Sequence, residues 1–266
     1  MATKKPIRKD KASSETKNKD IKFIEPKDSS PYVHQRDKIK YELKIRELPW
    51  TAKQKLIIEL FNHKDTKAIF LKGAAGTSKT ALAIYCGLQA LNNKKVSDMV
   101  LIRSAVESSE AGIGYLPGSA SEKMSPYVAP FMEKLSEFIP VTQLEMLEED
   151  KRIHMVPVGY TRGLHFSVKF VCCDEFQCLT LKEAETVLSR IGSFCKVMIC
   201  GDPDQSDLPY GKSCFNSVFD AFNNEESREQ GIFCIEFTEE DCMRSEFCKY
   251  ISKTFKHIKE QPKQLS

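Results

Sequence analysis

Short runs of consecutive apolar residues recur along the chain and alternate with segments of helical periodicity. The runs are 68–71, 99–102, 169–173, 196–200 and 232–235. Such runs are typical of strands buried on both faces of a parallel sheet. The segments between and after them predict helices at 79–91, 127–139, 180–191, 212–222 and 243–258. Because this alternation requires crossovers with helices on both sheet faces, we expect a three-layer α/β domain, with residues 104–126 and 140–166 as insertions outside the minimal sheet.

The N-terminal region differs in composition from the rest. Residues 1–40 hold twelve Lys and Arg against six Asp and Glu, and few large apolar side chains precede residue 30. We expect a charged, disordered tail over 1–40, a folded domain over 41–258 and a short tail over 259–266. The alternative for the first segment is a basic arm that contacts nucleic acid.

Overall composition narrows the class of protein. The net charge of +3 does not by itself imply a nucleic-acid partner. The sequence has no apolar run near the roughly 18 residues of a membrane span and no apolar stretch typical of a signal peptide. The ten cysteines form no CxxC pair and several lie in apolar runs, which favours buried reduced thiols over zinc or disulfide sites. These features predict a cytoplasmic protein without a membrane partner.

A phosphate-binding motif follows the first apolar run. Its residues are Gly73, Ala74, Ala75, Gly76, Thr77, Ser78, Lys79 and Thr80, close to the pattern GxxxxGK[ST]. Small residues let backbone N–H groups surround a phosphate at a helix N-terminus. Lys79 would neutralise β- and γ-phosphate charge, and the Thr80 hydroxyl would bind Mg²⁺. Ser78 replaces the last glycine and costs about 1–2 kcal/mol if that position needs positive φ. The alternative is a helix start of small residues with a solvated lysine.

Two further motifs lie where later strands end. Asp174 and Glu175 follow the run at 169–173; Asp174 would hold Mg²⁺, and Glu175 would polarise the attacking water. Acidic residues here are otherwise common as a helix N-cap. The segment 200–205 has the sequence Cys-Gly-Asp-Pro-Asp-Gln, in which Asp202 can hydrogen-bond the turn and the Gln205 amide can contact a γ-phosphate or water. A plain Gly-Asp-Pro turn is the alternative.

Together these motifs resemble the PhoH-like family of P-loop ATPases, which is related to superfamily 1 helicases. The resemblance runs from about Thr51 to Tyr250 and includes further family segments. These are Gly-Ile-Gly-Tyr-Leu-Pro-Gly at 112–118, Glu-Lys at 122–123, Pro-Tyr at 126–127, Pro130, Tyr-Thr-Arg-Gly at 160–163, Asp-Leu-Pro at 207–209 and Asp-Cys-Met-Arg at 241–244. It implies a RecA-like P-loop NTPase fold that uses ATP and Mg²⁺. The short form is compatible with a bacteriophage member.

The resemblance also implies roles for single residues. Gln54 matches a glutamine that reads adenine, although a surface glutamine on an amphipathic helix is the alternative. Arg244 matches an arginine that approaches the γ-phosphate in its own or a neighbouring subunit; its alternative is a surface salt bridge. Arg103 and Arg162 match family arginines, and the resemblance leaves open whether they contact nucleic acid, the nucleotide or a neighbouring subunit. With Lys123 they are the candidates for contact with nucleic acid.

The resemblance leaves two function classes open. The first is an Mg²⁺-dependent ATPase whose hydrolysis is coupled to RNA or single-stranded DNA, assembled as a homo-oligomeric ring for which a hexamer is one size. The second is a nucleotide-gated binding module with little turnover. The family pattern has Gly, Pro and Ala where this chain has Ser78, Ser104 and Phe176. These departures are the reason to consider the binding module. A small-molecule kinase is a remote third interpretation, because no Arg-rich lid is evident.

Overall fold

The computed structural model describes residues 37–104, 120–209, 212–243, 245–248, 250–251 and 253–254, without the side chains of 120–127 and 239. Its six strands form one parallel sheet in the order β3-β2-β4-β5-β1-β6. The strands are β1 (Ala68–Lys72), β2 (Asp98–Arg103), β3 (Ile153–Pro157), β4 (Lys169–Asp174), β5 (Lys196–Gly201) and β6 (Ile232–Glu236). The prediction of a parallel α/β sheet is therefore confirmed.

Seven helices are bounded within the described residues. They are α1 (Ala52–Asn62), α2 (Lys79–Asn92), α3 (Ala120–Phe138), α4 (Val141–Glu149), α5 (Leu181–Leu188), α6 (Phe215–Phe222) and α7 (Glu225–Glu229). The described residues between 246 and 254 are also helical. The prediction that 140–166 lies outside the sheet is wrong, because this segment contains α4 and the edge strand β3. That strand was missed since Ile-His-Met-Val-Pro interrupts its apolar residues with histidine and ends in proline.

The two faces of the sheet carry separate apolar cores, as alternation along the strands requires. Leu71 and Leu101 point into a core shared with α1, α2 and α3, whereas Phe70 and Val100 point into a core shared with α5 and α6. The segment before α1 joins the first core. Ile39, inside the stretch predicted as a tail, is buried there, and Trp50 packs on Tyr85 with ring centroids 5.1 Å apart.

A buried ionic cluster lies at the amino-terminal edge of the sheet. Asp98 at the start of β2 accepts from Lys169 Nζ at 2.5 Å and from Ser97 Oγ at 2.6 Å. Its other carboxylate oxygen lies 3.6 Å from the Arg152 guanidinium and 3.9 Å from His154 Nε2. Burial raises the pKa of Asp98, but hydrogen bonds from His154, Lys169 and Ser97 outweigh that effect and hold the pKa well below its usual value.

Candidate nucleotide-binding site

The chain segments that follow β1, β4 and β5 meet at the carboxyl edge of the sheet. The strand order places β5 between β4 and β1, so the three predicted motifs begin side by side. Gly201 ends β5 opposite Lys72 of β1. Its carbonyl accepts a hydrogen bond from the Gly73 amide at 3.2 Å. The phosphate-binding loop therefore starts in direct contact with the Gly-Asp-Pro turn.

Residues 73–80 turn the chain from β1 into α2 with two residues in the left-handed region. Gly76 has φ of 88° and Ser78 has φ of 59°. The serine that replaces the last glycine of the motif therefore does adopt positive φ. Gly73 is required for a different reason, since a Cβ there would lie 2.6 Å from the Cβ of Phe237. The loop therefore contains one glycine required by a close contact, Gly73, and one residue in a strained backbone conformation, Ser78.

The ammonium group of Lys79 folds back onto its own loop. Nζ donates to the carbonyls of Gly73 at 2.7 Å and Ala74 at 3.0 Å. Thr77 is buried, and its hydroxyl donates to the Ala74 carbonyl at 2.9 Å. The half-buried ammonium is therefore held at the mouth of this turn by two carbonyl bonds, which a bound phosphate would have to replace.

Thr80 and Asp174 are brought together from α2 and β4. The Thr80 hydroxyl donates to Asp174 Oδ1 at 2.9 Å, although 94 residues separate them. Asp174 is buried, and burial together with the Glu175 carboxylate raises its pKa to about 6. A cation at this point would favour the ionised form of a buried carboxylate whose charge burial disfavours. The sequence prediction paired the same two side chains as metal ligands.

Glu175 is held in a strained backbone conformation between two partners. Its φ is 53° and it precedes a short 3-10 helix, Phe176–Cys178. Oε1 lies 3.2 Å from the Arg103 guanidinium, and Oε2 accepts from Gln177 Nε2 at 2.6 Å. The sequence placed Arg103 among the nucleic-acid contacts, whereas the structure pairs it with Glu175. Gln177 was missed, although an amide two residues after an acidic pair in a turn could have indicated it.

The turn after β5 faces the phosphate-binding loop. The Asp202 carboxylate accepts from the Asp204 amide at 3.1 Å and from the Ala75 amide. Burial raises the pKa of Asp202 above its usual value. Gln205 lies at the end of the 3-10 helix Pro203–Gln205 and is exposed at this edge. Its backbone rather than its side chain is tied into the turn.

The segment after β6 returns to the phosphate-binding loop. The Met243 amide donates to the Gly76 carbonyl at 3.0 Å, and Lys53 forms a 2.7 Å ion pair with Asp241. Gln54 is buried between these parts; its Nε2 lies 3.4 Å from the Thr77 carbonyl, and its Oε1 accepts from the Thr51 amide at 3.0 Å. Adenine reading by Gln54 therefore requires these bonds to be exchanged.

Of the remaining predicted residues, only the side chain of Arg162 is described, and no contact joins it to this site among the described residues. Arg162 is exposed after the 3-10 helix Val158–Thr161, which follows β3. Lys123 lies in α3, but its side chain is outside the described residues. Arg244 and the segment 112–118 lie outside them as well.

Comparison with known proteins agrees with these motifs. A family model described as "PhoH-like protein" matches residues 47–256. The chain belongs to the PhoH-like family. It is 37% identical over 164 residues to a PhoH-like protein of Synechocystis sp., covering 61% of this chain and 49% of that protein. It is 31% identical over 183 residues to Protein PhoH of Escherichia coli, covering 68% and 51%. The chain thus spans about half the length of the curated relatives it matches.

Solved structures similar to this PhoH-like chain are distant. The large terminase of a thermophilic bacteriophage has a TM-score of 0.49 at 12% identity, covering 77% of this chain and 50% of the terminase. The Pif1 helicase of Candida albicans has a TM-score of 0.34 at 14% identity, covering 73% and 42%. None of the helices described in this chain is long and apolar enough to cross a membrane. Seven of the ten cysteines are buried, as their apolar context predicted, and all ten are free thiols.

The PhoH-like chain supplies few protein ligands for a metal. The described residues contain no group of three His, Cys, Asp or Glu side chains placed to hold an ion. A hydroxyl and one carboxylate, Thr80 and Asp174, are the oxygen donors that contact each other directly at the site. Mg²⁺ is commonly bound by one or two protein oxygens together with substrate phosphates and water. The donor set fits Mg²⁺ that arrives with a nucleotide.

Proposed function

We propose that this PhoH-like protein binds ATP with Mg²⁺ and hydrolyses it to ADP and phosphate. The observation that carries the proposal is the 2.9 Å contact between the Thr80 hydroxyl and Asp174. It joins the phosphate-binding loop to the acidic strand end at the point where a nucleotide-bound cation would lie. The backbone of 73–80 would surround the phosphates, and Gln54 would lie near the base.

The proposed chemistry assigns one task to each side chain. Lys79 leaves the loop carbonyls to neutralise phosphate charge, and Thr80 with Asp174 holds Mg²⁺, whose charge would offset that of the β- and γ-phosphates. Glu175 orients the attacking water and accepts its proton. The exposed Gln205 amide contacts the γ-phosphate or the water. Arg244, from the same or a neighbouring subunit, stabilises the transferred charge.

Hydrolysis is coupled to RNA or single-stranded DNA in this proposal, and the protein acts in the cytoplasm. Family membership and the helicase-like motif set support this coupling. The described residues form one sheet, and movement along a strand needs two ATPase surfaces. A homo-oligomeric ring would supply the second surface from a neighbour. The proposed nucleic-acid contacts are Arg162 and Lys123, while Arg103 is committed to Glu175 in the described state.

Steady-state phosphate release tests the proposal. Wild type should turn over ATP with Mg²⁺, and Lys79→Ala and Glu175→Gln should each reduce kcat at least about 100-fold. RNA and single-stranded DNA are added at low salt, where phosphate contacts are strongest. If neither binds nor stimulates hydrolysis, the coupling is rejected. Mixing Arg244→Ala with Lys79→Ala subunits should restore activity if Arg244 acts on a neighbouring subunit.

A nucleotide-gated binding module is the second candidate, because specific contacts oppose turnover. Ser78 occupies a left-handed position, and Arg103 holds the carboxylate of Glu175. Phe176 is fully buried against Phe70 and Phe215, with ring centroids 6.4 and 5.8 Å away, which fixes the backbone behind the acidic pair. Tight ATP binding without phosphate release, in wild type and Glu175→Gln alike, would favour this module.

A further inference from the structure

We propose that Gln177 is a positioning residue that links the water-activating carboxylate to the γ-phosphate-contacting turn. This inference rests on the proposed function of the same site. Gln177 touches neither phosphate loop nor solvent, and no sequence motif singled it out. Its contacts nevertheless join the ends of β4 and β5, which carry the two groups that must act on the same phosphate.

The contacts use both ends of the Gln177 amide. Nε2 donates to Glu175 Oε2 at 2.6 Å and to the backbone carbonyl of Gln205 at 3.2 Å. Oε1 accepts from the backbone amide of Asp202 at 2.9 Å. The side chain is fully buried, so water cannot replace these bonds without opening the turn. Glu175 follows β4, whereas Asp202 and Gln205 follow β5. The planar amide of Gln177 bonds all three and so fixes the distance between the two strand ends.

Only a carboxamide of this length satisfies all three partners. A glutamate could accept from the Asp202 amide but would place a second carboxylate against Glu175. A methionine would fill the space without any hydrogen bond. An asparagine keeps the chemistry but is one methylene shorter, so it cannot span Glu175 and Asp202 together. The buried amide therefore has a specific geometric task.

Coupling follows from this arrangement. The Gln177 amide bonds the Gln205 backbone and the Glu175 carboxylate with the same nitrogen, so a backbone shift of Gln205 on contact with a γ-phosphate would act on both bonds. A phosphate in the γ-position would thereby affect the position of the Glu175 carboxylate through two hydrogen bonds of the Gln177 amide. Removing the amide should leave the phosphate-binding loop intact and uncouple the turn from Glu175.

Kinetics and binding of Gln177→Met test this inference. We expect kcat to fall about 10- to 100-fold, as for loss of catalytic alignment, while the Kd for ADP stays within about twofold because the loop is unchanged. The preference for a non-hydrolysable ATP analogue over ADP should fall about fivefold or more. Gln143→Met is the matched control, since this glutamine also bonds two backbone groups, Lys44 N at 2.8 Å and Glu42 O at 3.0 Å, in a part of the chain away from the nucleotide residues.

The outcomes separate the inference from the proposed function. Wild-type turnover that persists unchanged in Gln177→Met would overturn the positioning role and leave the ATPase intact. No turnover in wild type would reject the ATPase, and the analogue preference would then decide whether Gln177 links the turn to Glu175. If Gln177→Met does not fold by circular dichroism, Gln177→Asn is measured in its place with the same expectations. Equal losses in Gln143→Met would show a general effect of stability and would also overturn the inference.

Discussion

Replacing Asp174 by asparagine should stabilise the protein without ligand while abolishing its use of Mg²⁺. Burial and the neighbouring Glu175 raise the pKa of Asp174 from 3.8 to about 6, which corresponds to about 3 kcal/mol of destabilisation when the group is ionised. Asparagine removes the charge and keeps an oxygen for the Thr80 hydroxyl. This value is the upper limit for the gain, so we expect Asp174→Asn to gain about 1–3 kcal/mol at pH 8.

The pH dependence of this gain has a definite sign. The folded pKa of Asp174 lies above the unfolded value, so the folded state holds the proton more tightly. Its contribution to wild-type stability is therefore greatest below pH 4 and is lost as pH rises through about 6. Urea unfolding of wild type and Asp174→Asn should differ most at pH 8 and converge toward pH 4.

Two further measurements test whether the stability gain comes from the buried charge of Asp174. ATP with Mg²⁺ should raise the Tm of wild type and leave that of Asp174→Asn unchanged. Asp98→Asn is the opposite control, because its carboxylate is buried against Lys169 with a lowered pKa, and it should lose about 3–5 kcal/mol. An Asp174→Asn variant that is less stable than wild type at pH 8, or equally shifted at every pH, would refute the reasoning.

Three further substitutions test the site. Ser78→Gly relieves a left-handed residue at φ 59° and should gain about 0.5–1 kcal/mol in chemical unfolding; Lys94→Gly, at φ 57° outside the site, should gain a similar amount without altering ATP binding. Gly73→Ala places a Cβ 2.6 Å from a buried phenylalanine Cβ and should cost about 1–3 kcal/mol and weaken ATP binding in calorimetry. Arg103→Ala removes the 3.2 Å contact to Glu175 and should change kcat without nucleic acid; a change confined to nucleic-acid stimulation would contradict the pairing.

The sequence predicted those parts of the fold that depend on local pattern. Apolar runs identified five of the six strands because strands buried on both faces need little else. The strand at Ile153–Pro157 was missed because it lies at the sheet edge, where polar His154 is stabilised by Asp98 from the next strand. That partner is 56 residues away in the sequence, and no local periodicity reports it.

The candidate site shows the same division. The motif spacing identified Ser78 as the residue that replaces the last glycine, and the structure gives this position a positive φ. The pairing of Arg103 with Glu175 was not predicted from the sequence. It depends on the register in which Arg103 of β2 lies opposite Asp174 of β4. Gln177 was missed for a related reason: its bonding to the turn after β5 exists only once the two strands are adjacent.

The segment between Thr238 and Met243 is bonded both to α1 and to the phosphate loop. The Asp241 carboxylate accepts hydrogen bonds from Lys53 Nζ at 2.7 Å and from the Thr238 amide at 2.7 Å. The Met243 amide donates to the Gly76 carbonyl at 3.0 Å. Residues 73–80 would change conformation around a bound anion, and this change would act on the bond between Gly76 and Met243. An anion that displaces Gly76 would therefore also stretch or break its bond to Met243, which couples the phosphate loop to the chain after β6.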